Sequence, residues 1–269
     1  MVNSFVNNFW DTEWNGTRGY DILVTRLKDG KKLHDAYSDF VRNRAKLEDD
    51  YGKSLIRLAQ TAGGTEETGS LRQSWDALKK ETENVGHIHC ELSRQLNELV
   101  ERAVAFREKQ KRDRLRVDEG MRREQQEKQL AHEKMIKVKR QYEQRCKESD
   151  AADEAYTSKA MYTPKEDEKL KKAKQRCRTA AESADSCYQS ALKQLEDLRV
   201  KHIASMEDAC ATFQNLEEGR IIFLRGEMWT YANHGSTQIL NMADRYEVKI
   251  KIYPFWPPLI LVKRSWYCG

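Results

Sequence analysis

The chain has 269 residues, 34% of them charged and 39% hydrophobic, with a mean hydropathy of -0.87. That balance is too polar for a compact two-layer globule of this length and suits helices rich in Glu, Lys, Arg, Gln and Ala that gain cover from a partner copy. The net charge of +5 names no partner by itself, no apolar run approaches the roughly 20 residues a membrane span needs, and residues 1–10 lack the basic start and apolar core of a signal peptide.

Proline and glycine set the punctuation. Only Pro164 precedes Tyr253, Pro254, Pro257 and Pro258 crowd the end, and no glycine lies between Met121 and Glu218. Proline inside a helix costs about 3 kcal/mol, so a chain that avoids it this thoroughly predicts three very long helices. Ahead of them, Phe5, Phe9, Trp10 and Trp14 are set closely enough to form an N-terminal clasp against the bundle.

The first long helix is expected over 17–61. Tyr20, Leu23, Val24, Leu27, Leu33, Tyr37, Phe40, Val41, Leu47, Tyr51, Leu55 and Leu58 recur there at steps of three and four, and Gly30 and Gly52 do not break the pattern. Residues 62–70, with three glycines, form a loop. The second helix is expected from about Leu71 to Ala160, about 90 residues or roughly 135 Å; its apolar stripe thins between Arg107 and Gln129 and then resumes. At the next turn, Thr163 suits an N-cap, Pro164 the first helical position and Glu166 the third, a capping box that starts the third helix. That helix runs to about Val248, and two helices so joined form an antiparallel hairpin. Residues 250–269 then turn abruptly proline- and aromatic-rich, an atypical tail that suits an alternative terminus, an exposed apolar segment or a short docking element.

Nothing in the sequence points to catalysis. The six histidines sit apart from any nucleophile elbow or metal spacing, and His87 and His89, two residues apart, fall on different faces of a helix. Carboxylates are interleaved with Lys and Arg, as on a solvated face. The six cysteines, Cys90, Cys146, Cys177, Cys187, Cys210 and Cys268, show no metal spacing and read as ordinary buried thiols of a reduced cytosolic protein. The expectation is no enzyme, no metal and no cofactor.

Charge is more informative. Residues 107–147 hold fifteen Lys and Arg against eight acids, a local +7 that exceeds the net charge of the whole chain. A basic middle on a long helix suits an anionic surface; a solvated face of unpatterned charge is the plain alternative. A membrane is favoured over nucleic acid, because Tyr142 is the only aromatic in the stretch able to stack a base. Each cation near an anionic leaflet contributes about 1 kcal/mol within a Debye length of roughly 8 Å, so several must reach one surface together.

The segment FVRNRAKLEDDYGKSLIRL at 40–58 resembles the Fes-type homology (FCH) segment that opens F-BAR domains, through Arg44, Lys46, Glu48, Tyr51, Gly52, Lys53 and Leu55, with Phe9, Trp10, Gly19 and Tyr20 at matching distance before it. YEQRCKESDAADEAY at 142–156, FREKQK at 106–111 and ENVG at 83–86 are similar to the subgroup of proline-serine-threonine phosphatase-interacting proteins. The resemblance implies an F-BAR domain over 1–249, with its FCH segment at about 5–70, folded as an all-α, elongated antiparallel bundle of three long helices and paired into a crescent-shaped homodimer.

It further implies a cytoplasmic scaffold, peripheral at the plasma membrane and actin cytoskeleton. Such a scaffold binds anionic phospholipids (phosphatidylserine and phosphoinositides), senses or induces membrane curvature, and serves cytokinesis, endocytosis and motility together with actin regulators. On matching positions, lipid contacts fall at Lys111, Arg112, Arg114, Arg116, Arg122 and Arg123, with Arg42 and Lys53 from the first helix. Trp229, in LRGEMWTYANHGS, matches the position that binds PEST-type tyrosine phosphatases, its bland alternative being a core or dimer-seam tryptophan. The alternative function is a cytosolic coiled-coil adaptor that binds proteins and no membrane.

Overall fold

The computed structural model describes residues 4–11, 13, 16–158 and 163–250, the last five of them by backbone alone. The described chain is all α: a single-turn α1 (Phe5–Asn8), then α2 (Arg18–Thr61), α3 (Gly69–Thr157) and α4 (Pro164–Ile250). The proline-aromatic tail at 251–269, together with Trp14, Tyr162 and Cys268, lies outside the described residues.

Local chemistry sets the helix ends within a few residues of the expected positions. At the start of α4 the Thr163 amide donates to Glu166 Oε2 at 3.1 Å, and the Glu166 amide donates back to Thr163 Oγ1 at 3.4 Å, a reciprocal cap for two otherwise orphaned donors. Between α2 and α3, Gly64 takes a φ of +88°, open to glycine without a Cβ penalty. That turn is tied down by Trp75, whose Nε1 donates to the Gly63 carbonyl at 2.7 Å.

Packing divides the chain into two units, Met1–Asp29 with Gln110–Glu218 and Gly30–Lys109 with Gly219–Gly269. In the first unit, Leu23, Val24 and Leu27 of α2 meet Met121 of α3 and Met206, Ala209, Cys210 and Phe213 of α4, with Phe5 and Phe9 of the N-terminal arm packed against them. Phe5 and Phe9 meet edge to face at 5.3 Å, and the Phe5 amide donates to Gln214 Oε1; this is the clasp the aromatic cluster suggested, although Trp10 remains largely exposed. Within this unit α3 and α4 run antiparallel, as contacts from Lys134 to Gln194, from Tyr142 to Tyr188 and from Asp153 to Lys174 step in opposite directions.

In the second unit, Tyr37, Val41 and Ala45 of α2 pack on Leu92, Leu96, Leu99 and Ala103 of α3 and on Leu224 of α4. Here α2 and α3 approach so closely that a Cβ on Gly52 would lie 2.6 Å from the Gly86 carbonyl oxygen, and one on Gly86 2.7 Å from that of Gly52. Arg102 makes two hydrogen bonds to the buried carboxylate of Glu227, tying α3 to α4. The Glu48, His89 and Gln238 side chains meet where the three helices adjoin.

The thiols are less uniformly buried than their surroundings in sequence suggest. Cys210 is in the core, Cys90, Cys146 and Cys177 are half-buried, and Cys187 is exposed.

Candidate functional site: a cationic helix face and an apolar seam

In the first unit, α3 presents the basic stretch. At 3.6 residues per turn, Arg112, Arg116 and Arg123, spaced by four and seven, share one face, and all three are exposed. Lys111 and Arg122 are also exposed but lie on a flank of the same helix. Arg114 is half-buried, on the side that carries the buried Asp118 and Met121. The six candidate cations therefore do not form one flat row; the geometry brings three together at the solvent pole and sets the others aside.

Carboxylates one turn away accompany several of these cations: Arg116 lies 2.7 Å from Asp113, Arg122 3.3 Å from Asp118 and Arg123 3.8 Å from Glu119. Exposed pairs of this kind contribute about 0–1 kcal/mol, so they leave the guanidiniums available to a competing polyanion. Asp118 is held more firmly, because the Tyr20 hydroxyl also donates to it at 3.2 Å; burial, with that carboxylate second, pushes the Tyr20 phenol well above its ordinary pKa.

Arg42 and Lys53 lie on α2 in the second unit, eleven residues and three turns apart, so they share a face. Each is paired within its own helix, Arg42 with Asp39 at 2.5 Å and Lys53 with Asp49 at 2.5 Å. The hydrogen bond to Asp49 raises the Lys53 pKa, which keeps the ammonium charged.

The second unit shows a feature that the periodicity of α2 concealed. Tyr37 and Val41 are buried, whereas Leu33, Phe40, Leu47, Tyr51 and Leu58 are exposed, Phe40 at 60% and Leu47 at 65%. What reads as one stripe is two interleaved ones, and the exposed stripe recurs at seven, seven, four and seven residues, the spacing of a helix–helix seam. Leu71 and Leu78 of α3 are exposed in the same unit, as are Ile222 and Leu240 of α4. Trp229 on α4 is 70% exposed and so is not a core residue of this chain. One turn before it, Gly226 opens onto free space.

Among the described residues no group of three or more His, Cys, Asp and Glu is placed to hold a metal ion, and no helix is long and apolar enough to cross a membrane.

The chain is similar to known proteins in sequence and in fold. Residues 19–91 match the Fes/CIP4 and EFC/F-BAR homology domain. Human (Homo sapiens) proline-serine-threonine phosphatase-interacting protein 1 is 34% identical over 244 residues, covering 90% of this chain and 59% of that protein. Septation protein imp2 of Schizosaccharomyces pombe is 29% identical over 230 residues, covering 85% of this chain and 33% of that protein. The chain thus spans about three-fifths or less of the length of these curated relatives. The solved structure of the Imp2 F-BAR domain superposes with a TM-score of 0.75 at 26% identity, covering 93% of this chain and 83% of that one. With the matched opening segment, the likeness along nearly its whole length and the same order of long helices, this chain is a member of the F-BAR family.

Proposed function

We propose that the chain is a homodimeric, non-enzymatic scaffold that binds anionic membrane through α3 and senses or induces curvature there. The observation that carries the reading is the exposed row of Arg112, Arg116 and Arg123 on one face of α3. Three guanidiniums in a row on a stiff helix can reach one leaflet together, each adding about 1 kcal/mol. Lys111 and Arg122 on the flank supply secondary contacts, as do Arg42 and Lys53 on α2, with phosphatidylserine and phosphoinositides as the headgroups; Arg114 contributes least because it is half-buried. The apolar seam of α2 supplies the dimer contact, so that each assembly carries two cationic rows. On this reading the F-BAR domain occupies residues 1–249 and residues 250–269 are an atypical proline- and aromatic-rich tail.

The setting follows from the relatives. One is named for septation and another for interaction with a phosphatase, which suits a peripheral protein at the plasma membrane and actin cytoskeleton that serves cytokinesis. The exposure of Trp229 beside the open surface at Gly226 favours a protein partner at that place, for which a PEST-type tyrosine phosphatase is the candidate.

Co-sedimentation with liposomes tests the membrane reading. Wild type is expected to pellet with phosphatidylserine vesicles at low salt, much less at high salt, and little with neutral vesicles. The triple change Arg112→Glu, Arg116→Glu, Arg123→Glu reverses three charges and is expected to abolish pelleting while the circular dichroism is unchanged. Sedimentation indifferent to anionic lipid would leave the adaptor without membrane activity as the better reading.

A further inference from the structure

The apolar seam of α3 in the second unit opens at one end. Leu99, Leu92, Val85, Leu78 and Leu71 recur at seven-residue steps and so follow one face of the helix. The first three are at most 6% exposed, whereas Leu78 is 54% and Leu71 62% exposed. Trp75, between these two on the same side of the helix, is exposed as well, and its hydrogen bond to the Gly63 carbonyl fixes the ring in place.

The register of α4 on α3 locates the change. Phe106 stacks on Phe223, Arg102 bonds to Glu227, and His89 meets Gln238, so positions on α4 rise as those on α3 fall, nearly one for one. On that register Ile250, the last residue of α4, stands about level with Leu78. The seam is closed where α4 lies alongside it and open where α4 has run out.

The sequence continues from this point with IYPFWPPLILV at 252–262, eleven residues without a charge. From Leu78 to Leu71 is about 10 Å of α3 at 1.5 Å per residue, a distance that four residues span at about 3.1 Å each in the extended form favoured at and before Pro254. Tyr253, Phe255 and Trp256 thus come within reach of Trp75 and Leu71, and a fixed aromatic ring is the kind of surface on which proline-rich segments dock. Because it is tethered at the edge of the face, the segment is present there at an effective millimolar concentration that a separate partner must exceed. We propose that residues 252–258 dock on Leu71, Trp75 and Leu78 of their own α3 and close the seam that α4 leaves open. The inference is independent of the membrane reading, because it uses no cation of α3 and no residue of the exposed α2 stripe.

Photo-cross-linking of the full chain tests the assignment. Leu71→p-benzoylphenylalanine places a photoreactive ring on the exposed face, and irradiation is expected to join it to a peptide within residues 252–262. Chains carrying light and heavy nitrogen, unfolded and refolded together, identify the occupant. Links that join two light or two heavy peptides are expected, whereas mixed links would seat a second copy there and overturn the proposal. Phe255→Asp with Trp256→Asp alters the tail alone and is expected to abolish the link with helicity retained. Links to other segments, no link at all, or a link undiminished in the tail variant would equally overturn it. The triple change Arg112→Glu, Arg116→Glu, Arg123→Glu is expected to leave the link in place, so failure of the membrane reading and failure of this one are told apart.

Discussion

His34 shows how a single buried side chain makes stability depend on pH. It is 2% exposed, its ring is parallel to those of Phe106 and Phe223, and its Nε2 donates to the Ala103 carbonyl at 2.7 Å. Since a carbonyl can only accept, Nε2 carries a proton and the neutral ring suffices for the contact. Desolvation is the largest influence and lowers the pKa; the Ala103 hydrogen bond and Asp35 oppose it, while Arg107 and Arg220 reinforce it. Burial likewise lowers the pKa of His202 in the other unit. A histidine whose folded pKa lies below its unfolded value of about 6.5 binds more protons when unfolded, so its contribution is present above that pH and lost as the pH falls toward the folded pKa. The urea midpoint is therefore expected to fall between pH 7 and pH 5. His34→Gln keeps a donor for Ala103 but cannot titrate; it is expected to lower the midpoint at pH 7 and to shrink the loss on acidification. An undiminished loss in the variant would assign the acid sensitivity to other groups.

Among the elements, the approach of α2 to α3 at Gly52 and Gly86 makes the sharpest demand on sequence. Each missing Cβ would meet the other residue's carbonyl oxygen, and backbone cannot step aside as a side-chain tip can. Gly52→Ala gains about 1 kcal/mol of helix propensity but forces the helices apart, and overpacking of this kind costs about 1–3 kcal/mol, so the net effect is expected to be destabilising. Gly120→Ala on α3 meets nothing within 4 Å and is expected to stabilise by up to about 1 kcal/mol. Urea unfolding of the two variants checks the contrast, and equal stabilisation by both would refute the close approach.

The same region shows what could be read beforehand. The glycine loop, the capping box at Thr163 and Glu166 and the three helix spans depend on neighbours in sequence, and their signals lie within a few residues of where they act. Gly52 and Gly86 are remote in sequence and become a pair only once α2 and α3 are set antiparallel. The basic stretch of α3 was visible as a count of charges. The half-burial of Arg114 depends on which side of α3 receives α4 and in what register, which no local pattern specifies.

At the scale of the whole molecule, the decisive question is what covers the second apolar stripe of α2. Its positions satisfied the same three- and four-residue steps as the core, so sequence alone merged the two; only after Tyr37 and Val41 are buried within the chain do Leu33, Phe40, Leu47, Tyr51 and Leu58 remain outside. Contiguous apolar surface of this length on a charged protein marks an interaction face, and its near-heptad spacing suits another long helix. A second copy of this chain offers the same stripe, and self-complementary contact about a twofold axis is the commonest way such a face is closed. The proposed membrane role would gain from such a dimer, because a second cationic row engages intramolecularly once the first has bound. The double change Phe40→Asp, Leu47→Asp places charges in the middle of the seam and replaces no buried residue, the one contact it gives up within the chain being that of Phe40 with Tyr231 at the edge of the second core. Sedimentation velocity is expected to give a dimer for wild type and a monomer for the variant, with helicity retained and binding to phosphatidylserine vesicles much reduced although every cation remains. A variant that stays dimeric would place the contact elsewhere, whereas a monomeric variant that binds vesicles as well as wild type would show that one cationic row suffices.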